Sequence, residues 1–274
     1  MLRLQSPLPD EYLDASEEDL ARRIGAAKHA LGDRLFVLGH HYQRDDIMRW
    51  ADARGDSYRL SVLAQERPDA EYIVFCGVHF MAESADILTG DHQKVVLPDL
   101  NAGCSMADMA DIDEVEEAWE SLERVIDIDR LVPITYMNSS AALKAFVGDH
   151  GGAVCTSTNS RAVLEWALDK GDKVLFFPDQ HLGRNSALTM DIPLEEMPVW
   201  DPHRDELGGN TEQSIARSRV ILWRGHCSVH QMYLPEHVEG FRQRYPDIKI
   251  LVHPECMMEV VGEADVIGST GTII

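Results

Sequence analysis

Three times along this chain, a segment of helical character leads into a short, largely apolar run that ends in a cluster of polar residues. That recurrence restricts the fold more than any other feature of the sequence. The first helix opens at Ser16, an N-cap with Glu17, Glu18 and Asp19 in its first turn, and runs to about Leu31. The strand LFVLG (35–39) follows, and then His40, His41 and Tyr42. A second helix, DEVEEAWESLERV (113–125), precedes the strand LVPITY (131–136) and Asn138, Ser139 and Ser140. A third, TEQSIARS (211–218), precedes VILW (220–223) and Gly225, His226 and Cys227.

The next strands line up as well. YIVFCG (72–77), AVCTST (153–158) and ILVHPE (250–255) each lead into a helix-like stretch, and VVLPD (95–99) and VLFFPD (174–179) each end in Pro-Asp. Short buried-type strands separated by helix-length spacers make parallel-sheet α/β units. The expected fold is therefore α/β, with three pseudo-equivalent α/β/α units whose short parallel sheets surround a central active site. The expected units are 1–109, 110–190 and 191–274. The third has no counterpart of VVLPD or VLFFPD before the sequence stops at VIGSTGTII, so it is expected to be incomplete, with a truncation at the C-terminus.

At 274 residues and 45% apolar, the protein suits two or three modest units better than one small core. Its 25 basic and 47 acidic residues give a net charge of −22, which repels nucleic acid and anionic lipid and argues against both as partners. The apolar runs are too short to cross a bilayer, and MLRLQSPLPDEYLD lacks the basic-then-apolar pattern of an export signal. A cytoplasmic protein is expected. Five cysteines, an odd number without paired spacing, argue against a disulfide framework there.

Parallel sheets bind ligands beyond the carboxyl ends of their strands. The residues at those ends are His40, Tyr42, Ser57 and Cys104 in the first unit, and Tyr136, Asn138, Ser157, Thr158 and Asn159 in the second. In the third they are Cys227, His230, His253, Glu255, Ser269 and Thr270. Each has an ordinary structural explanation: a histidine beside a strand is more often a hydrogen-bonder than a catalyst, and Asn138 and Ser139 read as helix caps. Their recurrence at equivalent strand ends outweighs those explanations together. Cys76 and Cys155 sit inside apolar strands as core residues, and Cys256 reads as structural. Cys104 (NAGCS) and Cys227 (RGHCS) lie in glycine-containing loops, where two thiols could ligate zinc, iron or an iron–sulfur cluster. Two are too few for a cubane; a third would leave one iron open as a Lewis acid.

The ordered set GHHYQ (39–43), GDS (55–57), CGVHFMAESA (76–85), LPDLNAGCSMAD (97–108), YMNSSAALKA (136–145), CTSTN (155–159), FPDQHLGRN (177–185), WRGHCSVH (223–230), HPEC (253–256) and GST (268–270) resembles the quinolinate synthase family. His41 departs from the family's usual residue at its position. The resemblance implies a [4Fe-4S] cluster with Cys104 and Cys227 as ligands and a third cysteine beyond Ile274. It implies condensation of iminoaspartate with dihydroxyacetone phosphate to quinolinate in NAD biosynthesis, and a functional link to L-aspartate oxidase. Tyr42, Tyr136 and Glu255 are the implied acids and bases, and His40, Ser57, Asn138, Ser157, His253 and Thr270 the implied holders of carboxylate or phosphate. Two alternatives stand beside it: a radical enzyme like those of diphthamide synthesis, and a cluster-deficient inactive fragment.

Overall fold

Ser16 does open the first long helix. Its Oγ accepts the Asp19 N–H at 3.1 Å, and Glu17–Leu31 carries its three acidic residues in the first turn and Lys28 and His29 in the last, the charge order a helix dipole favours. The computed structural model describes residues 5–274; Met1–Leu4, where the segment read for an export signal begins, lie outside the described residues. The protein forms two compact units, one ending at Gly103 and the other running from Cys104 to Ile274. The fold is α/β, with all strands parallel in three sheets.

In the first unit the strands β1 (Leu35–His40), β2 (Ala53–Gly55), β3 (Tyr72–Cys76) and β4 (Lys94–Val96) are ordered β2-β1-β3-β4. β1 is buried over five of its six residues, as a strand with neighbours on both edges must be. Lys28 ties the preceding helix to the sheet through Asp52, at 2.7 Å, while the other Asp52 oxygen accepts the Val37 N–H at 2.8 Å.

The second unit holds β5 (Leu131–Tyr136), β6 (Ala153–Cys155), β7 (Lys173–Phe177), β8 (Val199–Trp200) and β9 (Val220–Trp223), ordered β6-β5-β7-β9-β8. Pro133, inside β5, lies level with Gly152 just before β6 begins, since pairing starts at Ile134 with Ala153. Its missing N–H therefore removes no bond from that ladder. Trp223, Phe177, Leu175, Ile221, Val115 and Leu122 belong to the core under this sheet. Beyond it β10 (Leu251–Val252) and β11 (Val266–Ile267) form a two-stranded sheet, with Val238, Val252, Cys256 and Val260 as a small separate core.

VILW was expected to start the third unit. Its strand β9 instead pairs with β7 in the second unit's sheet, in the register Val174–Val220, Leu175–Ile221 and Phe176–Leu222. All four residues of β9 are buried, and burial on that scale needs neighbours on both edges, which β7 and β8 supply.

Candidate active site

The polar residues of the second unit gather at the carboxyl ends of β5, β7, β9 and β10. The loop after β9 is drawn tightly against the loop after β7: Gly225 bridges Asp179, and the Gln180 N–H donates to the Gly225 carbonyl at 3.1 Å. A Cβ on Gly225 would sit 2.0 Å from the Pro178 carbonyl oxygen, so only glycine permits that approach. The same loop holds the segment that follows Cys104. Trp223 Nε1–H donates to the Met109 carbonyl at 2.7 Å, the His226 N–H meets Met109 Sδ at 3.4 Å, and Ser105 and Ser228 approach to 3.5 Å. Cys104 and Cys227 are thereby brought into one neighbourhood. Burial pushes the Cys104 thiol up, and charge on Cys227 and Glu255 pushes it further.

Glu255 is the centre of this group. It follows β10, its side chain is 4% exposed, and one carboxylate oxygen lies 2.9 Å from His230 Nδ1. That oxygen is off the line of the ring N–H, so the contact is an ion pair rather than a linear hydrogen bond. The His230 ring stacks on His253 at 4.6 Å, with planes 9° apart. His253 Nδ1 accepts the Glu255 N–H at 3.3 Å, which leaves the His253 proton on Nε2. Burial would make Glu255 harder to ionise, but His230, His253 and the Tyr136 hydroxyl outweigh it and hold the carboxylate below its usual range. Burial likewise opposes charge on His230, yet Cys227 and Glu255 raise it to about 10. Tyr136 is held well above the ordinary phenol range by its burial and by the Glu255 charge. The result is a buried anion beside an imidazolium and a phenol that keeps its proton.

A Cys227 sulfur, a His230 nitrogen and a Glu255 oxygen lie within 4.8 Å of one another. Thiolate, imidazole and carboxylate form a donor set that suits zinc or iron, and the second thiol of Cys104 nearby extends it toward iron–sulfur chemistry.

Of the residues singled out from sequence, Cys104, Tyr136, Cys227, His230, His253 and Glu255 are brought together here. Ser157 lies in the turn before helix Ser160–Lys170, and Thr270 opens helix Thr270–Ile273 behind the N-cap Ser269. Asn138 and Ser139 were read as helix caps, but Ser140 is the cap, accepting the Leu143 N–H at 3.3 Å. Ser139 Oγ–H instead donates to the Tyr136 carbonyl at 2.8 Å, because a strand end and a helix start share this turn. In the first unit, His40 is buried and Tyr42 exposed; their rings meet at 3.8 Å, and the Tyr42 N–H donates to His40 Nδ1 at 3.5 Å. Ser57 is the first residue of helix Ser57–Gln65, which Asp56 caps.

Sequence reasoning assigned no role to Asp179 or Asn185. Asp179 is fully buried at the end of β7, and one of its oxygens has no partner among the described residues. Burial and the Glu255 charge raise it well above the carboxylate range. The Pro-Asp that closes VLFFPD was the available signal.

His40 carries a prediction. Burial, with His41 adding to it, lowers its pKa from 6.5 to about 4. The unfolded protein therefore binds a proton that the fold refuses, and stability falls as pH drops from 6.5 toward 4, by at most about 3 kcal/mol. Urea midpoints across that window should show a slope that His40→Gln reduces; an unchanged slope would assign the acid sensitivity elsewhere.

A family model described as quinolinate synthetase A protein matches residues 22–274. The quinolinate synthase of Rhodopirellula baltica is 59% identical over 273 residues, covering 96% of this chain and 70% of the relative. That of Corynebacterium glutamicum is 56% identical over 270 residues, covering 98% and 68%. That of a Geobacillus species is 54% identical over 267 residues, covering 97% and 72%.

Proposed function

We infer the chemistry from one premise: this chain belongs to the quinolinate synthetase A family, which makes it an enzyme of the quinolinate synthase kind with a role in NAD biosynthesis. The reaction is the condensation of iminoaspartate with dihydroxyacetone phosphate, giving quinolinate with loss of phosphate and two waters. What carries this reading is the buried Glu255 carboxylate, 2.9 Å from His230 and within 4.8 Å of the Cys227 sulfur.

Glu255, ionised at neutral pH, takes protons during enolisation and dehydration, and Tyr136, which keeps its hydroxyl proton, returns them. Tyr42 has the remaining acid–base role. His253 and His40 each accept a backbone N–H on Nδ1 and so offer Nε2–H to an anion. With Ser57, Asn138, Ser157 and Thr270 they hold the carboxylates and the phosphate. Cys104 and Cys227 would be two of the ligands of a [4Fe-4S] cluster, which needs a third thiolate and whose open iron would supply Lewis-acid polarisation when the cluster is bound. An imine of this kind hydrolyses in water, which favours a functional link to L-aspartate oxidase as its source. Among the described residues no helix is long and apolar enough to cross a membrane, and we assign the enzyme to the cytoplasm.

Anaerobic loading with iron and sulfide, followed by assay with both substrates, tests the proposal. With a third thiolate supplied to complete the ligand set, quinolinate should form, and Cys104→Ser or Cys227→Ser should each abolish both the cluster's visible absorption and turnover. Cleavage of S-adenosylmethionine without quinolinate would assign the radical chemistry of the rival family instead. Full iron content in Cys227→Ser would remove that residue from the ligand set.

A further inference from the structure

We propose that Asn185 is the positioning residue for Glu255, and that the helix Gln180–Leu188 sets the spacing between the Cys227 loop and the Glu255 loop. The inference rests on the assignment of Glu255 to proton transfer. Asn185 is buried, and its Nδ2 donates to two carbonyls: Pro254 at 2.7 Å and Cys256 at 2.8 Å. These carbonyls flank Glu255 on either side. Of the two ends of the amide, only the NH2 has hydrogens to give two carbonyl oxygens, which fixes the orientation of the side chain. The Asn185 Oδ1 has no donor among the described residues, so the amide is held by its two donated bonds alone.

The helix that presents Asn185 is itself immobilised at both ends of the problem. At its start, an Asp179 oxygen accepts the His181 and Leu182 N–H groups at 2.6 and 3.4 Å. One residue on, the Gln180 N–H donates to Gly225, two residues before Cys227. At mid-helix Gly183 lies so close to the sheet that a Cβ would meet Leu222 and Phe176 at 2.6 and 2.7 Å. The helix cannot slide inward; its first residue grips the Cys227 loop, and Asn185, near its middle, grips the Glu255 loop. Among the described residues, the segment 253–256 rests on a two-stranded sheet, a small core cluster of four buried and four partly buried residues, and its contacts with His230. A carboxylate on so short a support needs an outside anchor, and buried donors to its flanking carbonyls supply one.

The test compares Asn185→Ala and the isosteric Asn185→Asp with Ser186→Ala in the cluster-loaded protein. Ser186 is the next residue, and its Oγ pairs with Ser160 at 2.7 Å, so this variant loosens the same helix without touching 253–256. Both Asn185 variants should lower kcat about tenfold or more, with KM little changed. Backbone hydrogen exchange in a peptide covering 250–257 should speed up in both, and Ser186→Ala should do neither. Unchanged exchange in Asn185→Ala overturns the proposal, as does faster exchange with full kcat. Equal kcat losses in Ser186→Ala would make the effect a general loosening and overturn it too. Full turnover in Glu255→Gln would sink the underlying assignment instead, and the exchange data, which need no turnover, tell that failure apart.

Discussion

Glu255→Gln should lower turnover about a thousandfold while leaving the fold and the iron content in place. Glutamine keeps the volume of a side chain that is 4% exposed, so packing changes little. What it removes is the buried carboxylate charge. An amide takes no proton at neutral pH, and the base is lost outright. The loss also spreads to its neighbours. His230 stands at about 10 because, against its burial, Cys227 and the Glu255 carboxylate favour the charged ring; with the carboxylate gone its pKa must fall. Asp179 and Tyr136, both held high by burial with the Glu255 charge adding to it, become easier to ionise by the same argument. The variant should therefore show a slower rate together with a displaced His230 titration, measured by NMR of a ring-labelled sample. Turnover within a few fold of the parent protein would remove Glu255 from the chemistry. An unmoved His230 titration would show that the 2.9 Å contact does not govern that ring.

The strands were legible in the sequence wherever local chemistry decided them. LVPITY and VILW were bounded to the residue, because a largely apolar run of strand length admits little else. β2, β8 and β11, three, two and two residues long, were not read, since so short a segment carries no period; β11 falls in the VIGST stretch that was expected to hold no further strand and pairs with β10. The sheet to which VILW belongs was misread for a different reason. Four buried residues say that neighbours lie on both edges, but the identity of those neighbours is a nonlocal fact.

The site divides along the same line. Cys104 and Cys227 stood out because glycine-containing loops after strands free a side chain from the core. Glu255 stood out as a carboxylate at a strand end. The pairing of Glu255 with His230, 25 positions earlier, has no local signature. Neither has Asn185, whose partners Pro254 and Cys256 lie 69 and 71 residues away. Within FPDQHLGRN it looks like any polar residue on a short helix.

Trp223 joins the fold to the site, and its replacement should show both. The side chain is fully buried at the end of β9, its ring meets Phe177 edge-on at 6.4 Å, and its N–H donates to the Met109 carbonyl at 2.7 Å. Trp223→Ala should lower stability by about 3–5 kcal/mol, through lost burial and the cavity left behind. Trp223→Phe keeps most of the packing but strands the Met109 carbonyl, and should lower stability by about 1–3 kcal/mol. The milder variant is the more informative one. Met109 closes a turn whose other hydrogen bonds run back through Met106, at 3.1 Å, and from Asp108 to the Cys104 carbonyl, at 3.1 Å. Freeing its carbonyl from the indole loosens the segment that carries the Cys104 thiol. In the cluster-free protein Trp223→Phe should therefore raise the rate at which a thiol reagent labels Cys104, while Cys155, fully buried in β6, stays unreactive. Mass spectrometry of the labelled peptides separates the two sites. Faster labelling at both would mean general unfolding. An unchanged Cys104 rate, alongside the expected drop in urea midpoint, would show that the indole stabilises the core without holding the cysteine loop.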